Sequence, residues 1–105
     1  MEPFEKLERD GEIAVLYSPG YGAGWFTWNT EHPGLMFDRD IVAHVLKEDR
    51  ARAISLAETK YPGIYPGGGE QLQVCWVPKG QRFTIDEYDG SESVRFLSPT
   101  DGYVA

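Results

Sequence analysis

The chain has 105 residues, 41% of them hydrophobic and 13% aromatic, enough apolar material for one core and too many aromatics for a disordered segment. Seventeen acidic residues against ten basic ones give a formal charge of −7, which argues against a nucleic-acid polymer as partner, because phosphate binding rests on concentrated Lys and Arg. No apolar run approaches the roughly 20 residues that cross a bilayer, and with Cys75 as the only cysteine no intramolecular disulfide can form.

These limits predict a single domain over residues 1–105. No leader-like apolar segment follows Met1, and the expectation is a cytoplasmic protein with no membrane partner. A small anion is a different case from a polymer, since a few arginines and a nest of backbone N–H groups can hold one inside an acidic protein.

In chain order, Phe4–Arg9 and Glu12–Tyr17 read as two strands about an Asp10-Gly11 turn, a pair that takes the positive φ angles of a type I′ hairpin, in preference to a helix over residues 2–9, for which Phe4 and Leu7 offer too little apolar face. The second strand is apolar on both faces and is expected to be central. Ser18-Pro19-Gly20-Tyr21-Gly22-Ala23-Gly24-Trp25-Phe26-Thr27-Trp28-Asn29 follows, a loop in which glycines permit close backbone approach and aromatics supply rigid contact surface. It resembles neither a dinucleotide fingerprint, which needs G-x-G-x-x-G before a helix, nor a phosphate-binding P-loop, which needs a Lys-Ser/Thr pair.

Asp38 is placed to cap a helix whose apolar stripe is Ile41, Val42, Val45 and Leu46, and Asp49 can cap a second with Ala53, Ile54 and Ala57. Tyr61-Pro62-Gly63 ends the helical region, and Tyr61–Gly69 is a loop rich in glycine and tyrosine. Leu72, Val74 and Trp76 then alternate along a strand, with Trp76 expected as the core tryptophan. Pro78-Lys79-Gly80 turns the chain into Arg82–Ile85, and a hairpin closed by Glu87–Glu92 returns as Ser93–Leu97. Phe83 and Ile85 opposite Val94 and Phe96 give matched apolar faces. The fold class is α+β: an antiparallel sheet of four or five strands with one or two helices packed on one face.

Catalytic and metal signatures are absent from the pattern. His32 and His44 lack partners at zinc-ligand spacing, and the serines lack a nucleophile-elbow context. Cys75 sits in an alternating strand as a packed residue, with a Cys75–His44 dyad as the remote alternative. Asp86, Glu87, Asp89 and Glu92 read as a solvated acidic hairpin tip. No cofactor is expected.

The segments Leu7-Glu8-Arg9-Asp10-Gly11, Ser18–Trp25, Trp76-Val77-Pro78-Lys79-Gly80 and Asp86–Ser93 resemble a group of short proteins encoded by bacteriophages and prophages. The resemblance implies a context: small phage accessory proteins often act by binding, and some sequester nucleotide immune signals.

The candidate site is therefore a pocket joining the Gly20–Asn29 loop to the Tyr61–Gly69 loop. Tyr21, Trp25, Trp28, Tyr61 and Tyr65 would stack on a small nucleotide-type ligand, Gly22 and Gly24 would let the backbone approach it, Asn29 would hydrogen-bond, and Arg39 or Arg82 would meet negative charge. The alternative is a protein-interaction module or homo-oligomer using the same aromatics as a hot spot. An enzyme built on Glu31, His32 or His44 ranks third.

Overall fold

The structure, a computed structural model, describes residues 4–20 and 24–105. The first hairpin is β1 (Glu8–Arg9) and β2 (Glu12–Tyr17), followed by helices α1 (Gly34–Phe37), α2 (Arg39–Leu46) and α3 (Arg50–Lys60). After a 3₁₀ turn at Gly69–Gln71 come β3 (Gln73–Pro78), β4 (Arg82–Tyr88), β5 (Ser91–Phe96) and β6 (Tyr103–Val104). The fold is α+β, and its strands form two antiparallel three-stranded sheets, ordered β1-β2-β3 and β5-β4-β6, where one sheet of four or five was expected. The division falls at Pro78-Lys79-Gly80. There Lys79 N–H donates to Gly11 while Gly80 N–H donates to Ala105, so the ladder passes to the C-terminal residues and a second sheet begins. No helix among the described residues is long and apolar enough to cross a membrane.

Both hairpins turn as their sequences require. Asp10 and Gly11 have φ of 53° and 79°, and Asp89 and Gly90 have 51° and 83°, the paired positive angles that match the right-handed twist of the flanking strands. Strand β2 is central, with Ile13, Ala14, Val15 and Leu16 all buried. The first strand is shorter than the sequence suggests because Phe4–Lys6 are drawn toward the helices. Phe4 stacks on Phe37, Lys6 bridges to Asp38, and Arg39 N–H donates to Glu5.

Asp38 and Asp49 cap their helices as expected, accepting from Asp40 and Ile41 N–H in one case and from Arg52 N–H in the other. Ile41, Val42 and Val45 are buried, whereas Leu46 in the last turn of α2 is exposed. On α3 the buried residues are the small Ala53 and Ala57, which let that helix lie close to its neighbours.

The core tryptophan is Trp25, not Trp76. Trp25 is completely buried and its Nε1 donates to Leu35 O at 2.8 Å, so its one polar atom is satisfied inside the core. Trp76 pairs across from Ala14, but it lies on an edge strand and on the side that carries Glu12 and Arg9, so its ring is only half-buried beneath the Arg9 guanidinium, 4.9 Å from the ring centre, whereas Val77 on the other side of the same strand is completely buried. Edge position also separates two residues expected to be alike. Phe83 and Ile85 are buried on β4, while Phe96, directly opposite Phe83 on β5, is 52% exposed.

Trp25→Ala should therefore cost about 3–5 kcal/mol, the range for deleting a buried large aromatic, and Trp76→Ala less than half as much. Urea unfolding of both variants checks the order. If Trp76→Ala proves the costlier, Trp76 and not Trp25 anchors the core.

Candidate functional site

The glycine–aromatic loop is held from beneath by a single carboxylate. Glu92, at the start of β5, is 1% exposed and accepts four hydrogen bonds. Ser18 N–H reaches Oε1 at 2.9 Å; Trp25 N–H and Thr27 N–H reach Oε2 at 2.8 Å each, and the Thr27 hydroxyl reaches the same atom at 2.6 Å. In return Glu92 N–H donates to Ser18 O at 2.7 Å, and the neighbouring Ser91 hydroxyl donates to Pro19 O. Among the described residues no cation pairs with Glu92, so its charge is balanced by oriented backbone dipoles, the arrangement found in anion-binding nests. The expectation of a solvated acidic tip holds for Asp89 and Glu87, which are exposed, and fails for Glu92. Its side chain shares the inward face with Phe83 and Ile85, because the strand alternation that faces those residues inward also carries Glu87 and Glu92.

From this anchor the loop is tied to the Tyr61–Gly69 segment. Ser18 Oγ donates to Gly68 O, and Gly68 N–H donates to Gly24 O. The buried Asn29 acts as a double clasp: its Nδ2 donates to Trp25 O and Tyr65 O, and its Oδ1 accepts from Tyr65 N–H at 2.8 Å. Close approach explains the glycines. A Cβ on Gly68 would stand 2.6 Å from Ser18 Oγ and 2.7 Å from Gly24 O, and one on Gly24 would stand 2.6 Å from Trp28 Cδ1 and 2.7 Å from Thr27 Oγ1. Either substitution would push apart groups that the network holds together.

The product of this frame is an outward-facing pair of rings. Trp28 and Tyr65 stack with centroids 5.0 Å apart and an interplanar angle of 23°, and they are 45% and 49% exposed. Sequence reasoning placed both in the candidate site, and the structure brings them together with Gly24, Trp25 and Asn29. Trp25 and Asn29, however, face the interior, where their polar atoms serve the fold. Tyr21 and Gly22 lie outside the described residues.

Three candidates stand elsewhere. Tyr61 is buried at the end of α3 and donates to Asp38 Oδ2 at 2.8 Å. Arg39 lines a separate surface groove of about 390 Å³ with Phe4, Glu5, Asp38, Asp40 and Lys60, and pairs with Glu5. Arg82 lies on β4, where its guanidinium donates to Gly102 O near β6. In the Arg39 groove the buried Asp38 carboxylate meets Lys60 Nζ at 2.7 Å, and the hydrogen bond to Asp38, with the charges of Asp38 and Asp40, holds the Lys60 pKa above its ordinary 10.5.

The remaining chemistry is sparse. Burial pushes the Cys75 thiol up, with Glu12 adding to the shift, which leaves it poorly ionised near neutrality, and no hydrogen bond links it to His44 among the described residues. No cluster of His, Cys, Asp and Glu among the described residues could hold a metal ion. Comparison of the chain with protein-family models, with curated proteins and with solved structures gives no match.

The residue that sequence reasoning missed is Glu92. A signal existed, since strand alternation from Phe83 and Ile85 sets Glu92 on the inward face, and an inward carboxylate needs donors that a nearby glycine loop can provide.

Two outcomes test this geometry. Glu92→Gln keeps the shape but can no longer accept at both oxygens, so Ser18 N–H or the Trp25–Thr27 pair loses its acceptor. The expected cost in urea unfolding is about 1–3 kcal/mol, with the larger loss in Glu92→Ala, and a neutral Glu92→Ala would remove the anchor from the argument.

The second concerns pH. Because folding raises the Lys60 pKa, the folded state holds that proton more tightly, and the contribution is complete below 10.5 and lost as pH climbs through the higher folded value. The stability gap between wild type and Lys60→Met should thus stay level from neutrality to about pH 9 and close in stronger alkali. A gap that closes on acidification instead would refute the assignment.

Proposed function

We propose that this chain is a non-enzymatic binding protein that engages a protein partner through the stacked Trp28–Tyr65 pair. One observation carries the reading: two large rings stand half-exposed on a frame whose polar groups already satisfy one another. Tryptophan and tyrosine are the residues most enriched where protein interfaces concentrate their binding energy. A small polar ligand would need convergent donors beside the rings. Here the Asn29 amide is taken up by Trp25 and Tyr65, and the Trp25 and Thr27 amides by Glu92, which favours contact with a protein surface over capture of a nucleotide. Two surface grooves among the described residues, of about 390 and 430 Å³, are lined by other residues. An accessory role in the cytoplasm of a phage host, acting by binding, belongs to the same proposal.

The test begins with affinity capture by wild-type bait and by the Trp28→Ala/Tyr65→Ala double variant, with Leu46→Ala as a control on another exposed apolar residue. Binding of the purified partner is then measured by calorimetry. The double variant should stay folded and lose at least about 2 kcal/mol, roughly 30-fold in Kd, while Leu46→Ala binds as wild type. Undiminished binding by the double variant overturns the proposal. A panel of nucleotides, including cyclic dinucleotides and ADP-ribose derivatives, provides the other arm: quenching of tryptophan fluorescence that disappears in Trp28→Ala would replace it with the small-ligand reading.

A further inference from the structure

Strand β5 ends its sheet with main-chain groups that no described residue covers. Leu97 N–H donates to Arg82 O, which makes Arg82 and Leu97 a hydrogen-bonded pair, and antiparallel ladders alternate such pairs with non-bonded ones. Thr84–Arg95 and Asp86–Ser93 are then bonded across β4 and β5, whereas Phe83–Phe96, Ile85–Val94 and Glu87–Glu92 turn their N–H and C=O groups outward. The bond from Glu92 N–H to Ser18 O, on the side away from β4, agrees with that alternation. Beyond it, Val94 and Phe96 present N–H and C=O to the open edge, and no described residue accepts from or donates to them. An edge of this kind is a template for another strand.

The side chains flanking the edge define what would pair with it. Cross-strand partners share a face, so Phe96 and Val94 lie on the inward side with Phe83 and Ile85, and Phe96 overhangs the edge half-exposed. At the hairpin end a groove of about 430 Å³ is lined by Asp86, Tyr88, Ser91 and Ser93 from the opposite side, with Glu87 and the turn residue Asp89 at its border. Three carboxylates stand here against one guanidinium, Arg95, which is already bound to Asp86 at 2.6 and 3.3 Å. An added strand alternates its side chains between these two sides. We propose that the β5 edge is a strand-addition site for an extended segment of a partner protein in which basic and apolar residues alternate, the apolar ones meeting Phe96 and Val94 and the basic ones the acidic groove. A second copy of this chain fits poorly, since each carries −7 and side-by-side pairing about Arg95 would oppose like charges.

This surface shares no residue with the Trp28–Tyr65 pair and rests on different observations. The experiment uses ¹⁵N-labelled protein and three capped hexapeptides: alternating Lys-Val, alternating Glu-Val, and oligolysine. In the free protein, Val94 and Phe96 amides should exchange with solvent far faster than Ser93 and Arg95. Saturating Lys-Val peptide should slow Val94 and Phe96 exchange about tenfold, and neither of the other peptides should do so. Phe96→Pro and Phe96→Ala separate backbone from side chain. Both lose the ring, but only proline removes the N–H, which no described residue of the monomer pairs, so the monomer tolerates it. The alanine variant should retain weakened protection at Val94, and the proline variant should lose it. Equal behaviour of the two variants, equal protection by oligolysine, or slow exchange of Val94 and Phe96 in the free protein that deepens with protein concentration would each overturn the proposal, the last in favour of self-association.

Discussion

A buried carboxylate, paired by no cation among the described residues, governs this fold. Ionised groups are expensive to remove from water, by several kcal/mol even after relaxation, and Glu92 is tolerable only because Ser18, Trp25 and Thr27 bring three backbone N–H groups and a hydroxyl to it. The dependence runs both ways. A segment with as much glycine as Ser18–Trp25 has a large conformational entropy to lose, and the charge-assisted bonds from Ser18 and Trp25 to Glu92 provide fixed points at its two ends. The same residue joins the sheets, since Glu92 N–H and Ser18 O link the start of β5 to the residue that follows β2.

Asp38 offers a useful contrast within the same molecule. It too is almost fully buried, caps α2, and accepts from Tyr61, yet it also has Lys60 at 2.7 Å. One carboxylate is compensated by a cation and organises a helix start. The other is compensated by dipoles and organises a loop. Substituting a cation for dipoles at Glu92 would put a long side chain where the loop backbone lies, so the dipolar solution suits a site whose purpose is to position main chain.

Much of the framework was legible in the sequence because it is written in local chemistry. Asp10-Gly11 specified a type I′ turn, Asp38 and Asp49 specified helix starts, and the alternation of Phe83, Ile85, Val94 and Phe96 specified a β4–β5 register that the structure reproduces. The differences arise where distant partners decide. Trp76 has the pattern of a core residue, but it lies on the side of β3 shared with Glu12 and Arg9, while Val77 on the other side is completely buried, and which side is covered is a property of the assembled layers. Glu92 sits in an acidic cluster and reads as solvated until the loop some 70 residues earlier in the chain is folded over it. At the candidate site, the sequence identified the right loops and the right rings. It could not sort Trp25 from Trp28, which lie three apart with similar neighbours and meet opposite fates, because burial there is set by the Glu92 and Asn29 contacts and not by local composition.

That sorting bears on function. Trp28 and Tyr65 stay outside because the frame leaves them no way in: the indole edge lies where Gly24 lacks a Cβ, and Asn29 fixes the backbone of Tyr65 through both of its amide atoms. Stacking on one another, each ring also restricts the other's rotamers. Exposed aromatic surface held this way loses little further freedom when a partner covers it, and ordering interface side chains is among the main costs that buried area must overcome in association. The glycines, which in a free loop would work against binding by adding entropy to be lost, here serve the opposite end. They admit contacts too close for any side chain, and those contacts hold the aromatic pair in place before a partner arrives.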